Sequence, residues 1–523
     1  MQLKQSNPDA RAQTIAALLA VVCYITAIKN GFAWDDTFIV YGNERIHSWA
    51  GVPTALHLGY WYNTGHLYRP LTTLSFALDW IASGGAPALF HAVNIAWHTL
   101  ATVLVARLAL RWWSPPAAAM AACIFAGQPV HVEAVANIVG RSEVMCSAAL
   151  LALALVATRP VVPTLVVTDR YQLLWIALLA AVATASKETG VVAPVIAWAA
   201  IWLTVIRKTR GDRTAARRTT IRVTVAALIG VSFLLTIRFV LLGGLGGDRP
   251  HPAFRFGTVW QGTALALASV PRAMSLIVAP QPPRPDYSPT EAALTHPNAI
   301  LVLLGVLLVG SALGAAMAHA KRPAPWSFAV IFAAATFAPV SNLLIRSGIV
   351  IAERTLYSPS VGAALLEGAM LAALGRTKPR LAVGALVAVL LVSGTLTLQA
   401  IPIWTDTSSV FAAIRERAPA SYRGYALSAT QSDAAGDHTT ARRYYGRAIG
   451  LFSRDPNVLQ GASANALLVG DTALALTYLI KAVSADPADT LARRVLARLL
   501  VRQRERASAR PLLRDDTTEF PKK

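Results

Sequence analysis

The chain has 523 residues, of which 55% are hydrophobic and only 14% charged, with a mean hydropathy of +0.48. That balance excludes an ordinary soluble globular protein and predicts a polytopic membrane protein. The net charge of +21 does not signal a nucleic-acid partner: much of it sits in short loops between apolar runs, as the positive-inside rule produces, and no compact basic domain is present.

A spanning helix needs about 20 largely apolar residues. The first apolar run, 14–28, lacks a clear small-residue cleavage site before Trp34 and reads as a retained signal anchor. Further spans are predicted to begin near residues 88, 115, 142, 172, 190, 220, 298, 326, 353 and 381. Cys23, Cys123 and Cys146 fall within or beside such runs and suggest neither a disulfide framework nor a metal cluster.

Basic residues mark the loops. Arg107 and Arg111 follow the second span and Arg159 and Arg170 the fourth, while Arg207, Lys208, Arg210, Arg213, Arg217 and Arg218 follow the sixth. Lys321 with Arg322, then Arg376, Lys378 and Arg380, come later. If all these loops are cytoplasmic, an even number of crossings separates any two of them. Three apolar stretches lie between Arg218 and Lys321, so one does not cross. The stretch 258–279, flanked by Gly243–Gly247 and Pro280–Pro285, is predicted to lie at the interface or to re-enter. The expected fold is therefore all-α: a bundle of about eleven spans plus one re-entrant or interfacial helix, with the N-terminus inside and the C-terminus outside.

Residues 1–402 form the predicted membrane domain, with 31–90 as its first outer loop, and 403–523 a helical domain on the outer side. Within the latter, Gly436, Ala441, Tyr445 and Ala448 recur as Gly470, Ala475, Leu479 and Ala482, a shift of 34 residues. That is the tetratricopeptide period. Pro456 and Pro487 follow the second helices at a spacing of 31, and Ala509 and Leu513 hint at a degenerate third unit.

On this topology Asp35, Asp36, His91, Asn94, His131, Glu133, Arg141, Lys187, Glu188, Asp286, Arg346, Glu353 and Arg354 collect on or near the outer face. Ionisable groups at membrane depth are costly and usually face a polar cavity. An ordinary interfacial charge explains any one of them equally well, but explains the whole set less well. His91, Asn94 and His98 share a helix face. They read either as a polar wall of a substrate cavity, with a metal site as an option, or as inter-helix hydrogen bonding, the latter favoured for His98.

The order Trp34-Asp35-Asp36, Tyr68-Arg69-Pro70-Leu71, Phe90-His91 with Asn94, Pro129-Val130-His131 with Glu133-Ala134-Val135, Gly140-Arg141-Ser142-Glu143, Ser186-Lys187-Glu188-Thr189-Gly190 and Ala352-Glu353-Arg354-Thr355-Leu356-Tyr357 with Pro359-Ser360 carries a resemblance. It resembles the transmembrane-and-tetratricopeptide-repeat O-mannosyltransferases and their bacterial relatives, along nearly the whole chain. The resemblance implies a C-type glycosyltransferase fold. It also implies transfer of a sugar, with mannose as the candidate, from a polyprenyl-phosphate carrier to a hydroxyl on a protein or envelope glycan. Elementary chemistry agrees: such transfer needs a carboxylate to take or orient the acceptor proton. It also needs cations where charge grows on the departing phosphate, a task that suits the planar arginine fork.

By resemblance, Asp35 or Asp36 is the catalytic carboxylate. The residues do not separate the two, Asp36 is marginally preferred, and one of the pair has helix capping as its alternative role. Arg141 and Arg354 become lipid-phosphate contacts, with pairing to Glu143 or Glu353 as their alternative. Glu133, Lys187 and Glu188 become sugar or acceptor contacts, and Arg69, His91, Asn94, His131, Glu353 and Tyr357 join the substrate-binding set. Pro285-Asp286-Tyr287-Ser288 is similar to a worn family segment, which adds Asp286. The expected partners are the lipid-linked sugar donor, the protein or glycan acceptor and the membrane; a divalent metal stays an open option. The expected location is a bacterial inner membrane, with the active face and the repeats periplasmic. Two rivals remain: a non-enzymatic membrane-anchored scaffold that presents the repeats to periplasmic partners, and a lipid-linked-sugar transporter. The transporter would need charges through the full membrane depth.

Overall fold

A computed structural model describes residues 8–61, 67–159, 169–208, 213–245 and 249–502. Arg210, Gly247, Ala509 and Leu513 lie outside them. The described residues are helical, with no strand among them. Helix α1 (Pro8–Tyr24) runs through a tight 3-10 turn into the loop that carries Asp35. Helix α2 (Val52–His57) packs on α3 (Pro70–Ser83), and α3 also packs on the helix Arg170–Ser186. The first half of the bundle continues with α4 (Pro87–Ala109), α5 (Pro115–Ala126), α6 (Val132–Val135), α7 (Arg141–Ala157), α8 (Arg170–Ser186), α9 (Ala193–Lys208) and α10 (Arg213–Leu242). The second half contains α11 (Pro252–Arg255), α12 (Val259–Val278), α13 (Glu291–Thr295), α14 (Ala299–Lys321), α15 (Pro325–Phe337), α16 (Tyr357–Gly375) and α17 (Pro379–Ala400). After these come α18 (Thr407–Arg417), α19 (Tyr422–Ala434), α20 (His438–Leu451), α21 (Pro456–Leu468), α22 (Thr472–Ala485) and α23 (Thr490–Arg502).

Local chemistry sets the boundaries by proline starts and by polar caps, and both occur in each region: Asp169, Thr258 and Asn298 cap α8, α12 and α14, and α21 starts on Pro456. In the apolar region α3, α4, α5, α15 and α17 each start on proline, whose missing N–H falls where the first turn has no intrahelical acceptor anyway. After residue 403 the starts are polar caps: Asp406, Ser421, Asp437, Asp455 and Asp471 each accept a backbone N–H with their side chains. Gly436 and Gly470 turn the chain between paired helices at φ of +83° and +81°, a conformation that glycine adopts without a Cβ penalty.

Among the described residues eight helices are long and apolar enough to cross a membrane, nine if the pair Pro115–Ala126 and Pro129–Val135, bent by 51°, is one span. Two shorter apolar helices, Arg170–Ser186 and Pro325–Val340, occupy the spans predicted near 172 and 326. Helix α12 is not among the spanning candidates; it carries Pro271 and Arg272 and packs along α14. Helix direction then puts the ends bearing Asp35, His91, Arg141, Lys187 and Glu353 at one pole. The ends bearing Arg107, Arg159, Arg207, Lys321 and Arg376 lie at the other.

Lipid tails are as apolar as leucine, so helices associate in the membrane through close packing of small residues. Helix α5 meets α16 this way: a Cβ on Gly368 would lie 2.5 Å from Ala121 N and 2.6 Å from Ala117 O. Helix α14, in contrast, turns Ile300, Leu303 and Leu307 outward, and a Cβ on Gly310 would meet nothing within 4 Å. Gly368→Val is therefore expected to destabilise the bundle by about 1–3 kcal/mol through overpacking. Gly310→Ala should leave it unchanged. Thermal unfolding of the detergent-solubilised chain reads both.

Candidate active site

The two adjacent aspartates are held in different ways. Trp34 lies in the left-handed region at φ +49°, a conformation that costs a bulky residue about 1–3 kcal/mol. Its N–H donates to Thr407 Oγ1 at 2.9 Å. The turn that follows is closed by Asp36, whose Oδ2 accepts the Ala33 N–H at 3.1 Å and whose Oδ1 accepts the Val139 N–H at 2.9 Å. Asp36 is fully enclosed, with both oxygens engaged. Asp35 is half-buried. Among the described residues no hydrogen bond fixes its carboxylate, and Arg354, Arg423 and Arg69 surround it electrostatically.

Behind this turn stands Arg141, fully buried. Its Nε donates to Asn94 Oδ1 (2.6 Å), Nη2 to Phe90 O (2.8 Å) and Nη1 to Ser75 Oγ (3.2 Å), while Nη1 pairs with Asp79 Oδ2 at 2.5 Å. Asn94 in turn donates to the carbonyls of Val135, Asn137 and Ile138 at 3.1–3.3 Å. His91 Nε2 lies 3.2 Å from Gly31 O. These residues therefore knit backbone turns together rather than line a cavity. Arg141 pairs with Asp79 and not with Glu143. Glu143 instead takes Lys187, which is itself buried.

In front of the turn the structure gathers Asp35, Arg69, Glu133, Lys187, Glu188 and Arg354. Arg69 forks onto Glu188, with Nε 3.0 and 3.2 Å from its two oxygens and Nη2 at 2.9 Å, and stacks 4.6 Å over Tyr60. The Arg354 backbone N–H donates to Glu133 Oε2 at 3.0 Å, and its guanidinium pairs with Glu133 Oε1. Lys187 lies within electrostatic reach of Arg69, Arg354, Glu188 and Glu133. The side chains of Arg69, Glu188 and Arg354 keep 13%, 24% and 18% of their surface exposed, so this group is open to a ligand where Arg141 is not.

The remaining predicted residues lie apart. His131 reaches Ser360 Oγ at 2.7 Å, and Tyr357 OH bonds His98 Nδ1 at 2.8 Å. Both are deep links between helices, and His98 takes the inter-helix role that its position favoured. Glu353 faces away from its neighbour Arg354, accepting the Arg284 N–H at 2.7 Å and the Tyr287 hydroxyl at 2.5 Å. Asp286 accepts from Ser421 Oγ at 2.5 Å and lies 3.4 Å from Arg423 Nη1. Arg346 donates to Gly262 O at 3.1 Å and Thr263 Oγ1 at 2.8 Å. Among the described residues no three His, Cys, Asp or Glu side chains gather into one cluster.

Arg238 and Arg423 are two cations that escape the sequence reading. Arg238 lines a small cavity with Tyr68, Glu188, Leu234 and Leu235. An arginine near the end of the apolar run 223–242 is a signal that could have found it. Arg423 lies beyond residue 403, where nothing local marks it.

Burial raises the Asp35 carboxyl above its usual range, against the pull of Arg354, Arg423 and Arg69. Asp36 is raised from 3.8 to about 7, mainly by burial, against the lowering effect of the Ala33 and Val139 N–H groups.

No protein-family model matches the chain. Human protein O-mannosyl-transferase TMTC3 is 29% identical over 197 residues, 36% of this chain and 21% of that protein. Human protein O-mannosyl-transferase TMTC4 is 32% identical over 161 residues, 27% of this chain and 22% of that protein. The chain is similar to these protein O-mannosyl-transferases over part of its length. It spans about a fifth of the length of these relatives. The similarity expected along nearly the whole chain is thus found over a quarter to a third of it, because these matches align 25–36% of its residues. Among solved structures, the Archaeoglobus fulgidus oligosaccharyltransferase AglB, in complex with an inhibitory peptide and a dolichol-phosphate, is 15% identical with a TM-score of 0.43, covering 80% of this chain and 59% of that one. ArnT from Cupriavidus metallidurans bound to undecaprenyl phosphate is 13% identical with a TM-score of 0.38, covering 93% and 80%.

A carboxyl raised by folding binds its proton more tightly in the folded state. The Asp36 contribution to stability is therefore full below about pH 4 and lost as pH rises through about 7. Thermal unfolding of the full chain from pH 4 to 8 should show that fall. Asp36→Asn should flatten it, and an unchanged slope in the variant would assign the fall to other groups.

Proposed function

We propose that this chain is an integral-membrane glycosyltransferase that moves a sugar from a polyprenyl-phosphate carrier to a hydroxyl acceptor. The observation that carries the reading is the uncommitted, half-buried Asp35 carboxylate set among Arg69, Arg354 and Arg423, a base beside cations at one pole of the bundle. Relatives named protein O-mannosyl-transferases support the reaction class and make mannose the candidate sugar.

In the proposed reaction Asp35 takes the proton of the acceptor hydroxyl, whose oxygen attacks the anomeric carbon of the donor. The bond from that carbon to the phosphate oxygen breaks, and the electron pair leaves on the phosphate. Arg354 and Arg69 hold the growing negative charge, an electrostatic task that depends on preorganised donors in a dry site. Both forks are pre-aimed by their carboxylates, Glu133 and Glu188. Lys187, buried against Glu143, supports that wall. Asp36 takes the role of turn clasp and Arg141 that of scaffold. His91, Asn94, His131 and Tyr357 work behind the site. Asp286 and Glu353 fix the proline-rich loop after α12. The reading places the site and the C-terminal helices on the periplasmic side of a bacterial inner membrane, and treats those helices as a tetratricopeptide-like domain that brings protein or glycan acceptors.

Asp35→Asn is expected to lower transfer about 10²–10⁴-fold, the range for loss of a general base, with the protein still inserted. Transfer from tritiated polyprenyl-phosphate mannose to acceptors in membranes that contain the full chain measures it. Glycan mass spectrometry of the envelope with and without the chain reads the same activity in cells. Undiminished transfer by Asp35→Asn would remove Asp35 from the role, whereas an envelope unchanged by deletion would favour a scaffold.

A further inference from the structure

The loop that presents Asp35 is tied to residues 401–407 at successive points. Asn30 Nδ2 donates to Ile401 O at 3.0 Å, Gly31 N–H to Thr405 O at 2.9 Å and Trp34 N–H to Thr407 Oγ1 at 2.9 Å. The Trp34 ring meets Phe411 edge-on with centroids 6.0 Å apart, and Arg423 lies 5.6 Å over the same ring. Arg423 is anchored on its other side by Asp286, which also accepts from Ser421. Trp34 is the residue in the left-handed conformation immediately before Asp35. Such strain persists only where the surroundings over-determine it; locally the Trp34 carbonyl accepts the Thr37 N–H (3.1 Å) and hydroxyl (2.6 Å), and the long-range restraints on Trp34 come from α18 and α19.

Resting on the reading above, we propose that Arg423 and Thr407 are positioning residues for Asp35, so that the C-terminal helices complete the catalytic centre as well as carry acceptors. Thr407 holds the strained Trp34 backbone and Arg423 packs its ring, which together aim the carboxylate that follows. Arg423 also adds positive charge at Asp35. The charged and titratable groups facing that carboxylate are Arg69 at the start of α3, Arg354 before α16, Arg423 on α19, Tyr60 and the neighbouring Asp36. Losing one of the three arginines leaves burial less opposed, so Asp35 holds its proton to higher pH.

The test uses the full chain in membranes with tritiated polyprenyl-phosphate mannose as donor. Arg423→Gln is expected to lower kcat about 10²-fold, the scale of a small misplacement of a reacting group, with KM for the donor little changed. The acid limb of its pH profile should move to higher pH, and Arg423→Lys should restore part of kcat and most of the profile. Thr407→Val should lower kcat without moving the profile, since it removes a strap and no charge. An Arg423→Gln variant with the parental kcat and pH profile would overturn the proposal. If the parent shows no transfer that Asp35→Asn abolishes, the proposed reaction fails instead. A double-mutant cycle of Asp35→Asn and Arg423→Gln, read by thermal unfolding, then decides the coupling itself. Non-additive shifts sustain it, and additive ones reject it.

Discussion

Burial of ionised side chains at one pole of the bundle is the constraint on which the rest of the structure depends. Removing one partner of a buried ion pair costs about 3–5 kcal/mol, because the other charge is left without compensation. The fold therefore assembles this pole from pairs: Arg141 with Asp79, Lys187 with Glu143, Arg354 with Glu133 and Arg69 with Glu188. Each pair bolts one segment to another distant in sequence, so the loops at this pole have fixed shapes although they lie outside regular helices.

These pairs fall into a closed back and an open front. The back, built on Arg141 and Asn94, fills its hydrogen bonds with backbone carbonyls and gives the Asp36 turn a rigid seat at Val139. The front keeps part of Arg69, Glu188 and Arg354 in contact with solvent. A proposed transfer reaction needs both: cations that can reach a phosphate, and a wall rigid enough that they do not reorganise as charge develops. The adjacent aspartates show the division at its finest. Asp36 seals the wall, while no hydrogen bond among the described residues holds the Asp35 carboxylate.

Much of this pole was legible in the sequence, and the misreadings have physical causes. The parity of basic loops collected Asp35, Glu133, Lys187, Glu188 and Arg354 on one side because hydropathy and helix direction are local properties. Partner choice was not legible. Arg141 and Glu143 are two apart, a spacing that does not face across a helix, and adjacent Glu353 and Arg354 point to different partners. Sequence leaves His91 and Asn94 open between a cavity wall and inter-helix hydrogen bonding, since their partners are backbone carbonyls, which every residue carries and no sequence pattern marks. The two aspartates are distinguished by the Val139 N–H, 103 residues away, which engages an Asp36 oxygen and none of Asp35.

The sequence by itself determined the membrane class, the helical elements, their starts at prolines or polar caps, and the pole at which ionisable residues gather. Those follow from local composition and from alternating helix direction. Only the tertiary structure decided which carboxylate is clasped and which is left uncommitted, and that Thr407 and Arg423 reach the Trp34–Asp35 turn from a segment some 370 residues further on. Hydrogen-bond partners and the field at a buried carboxylate depend on distances in space, and those distances exist only once the helices have packed.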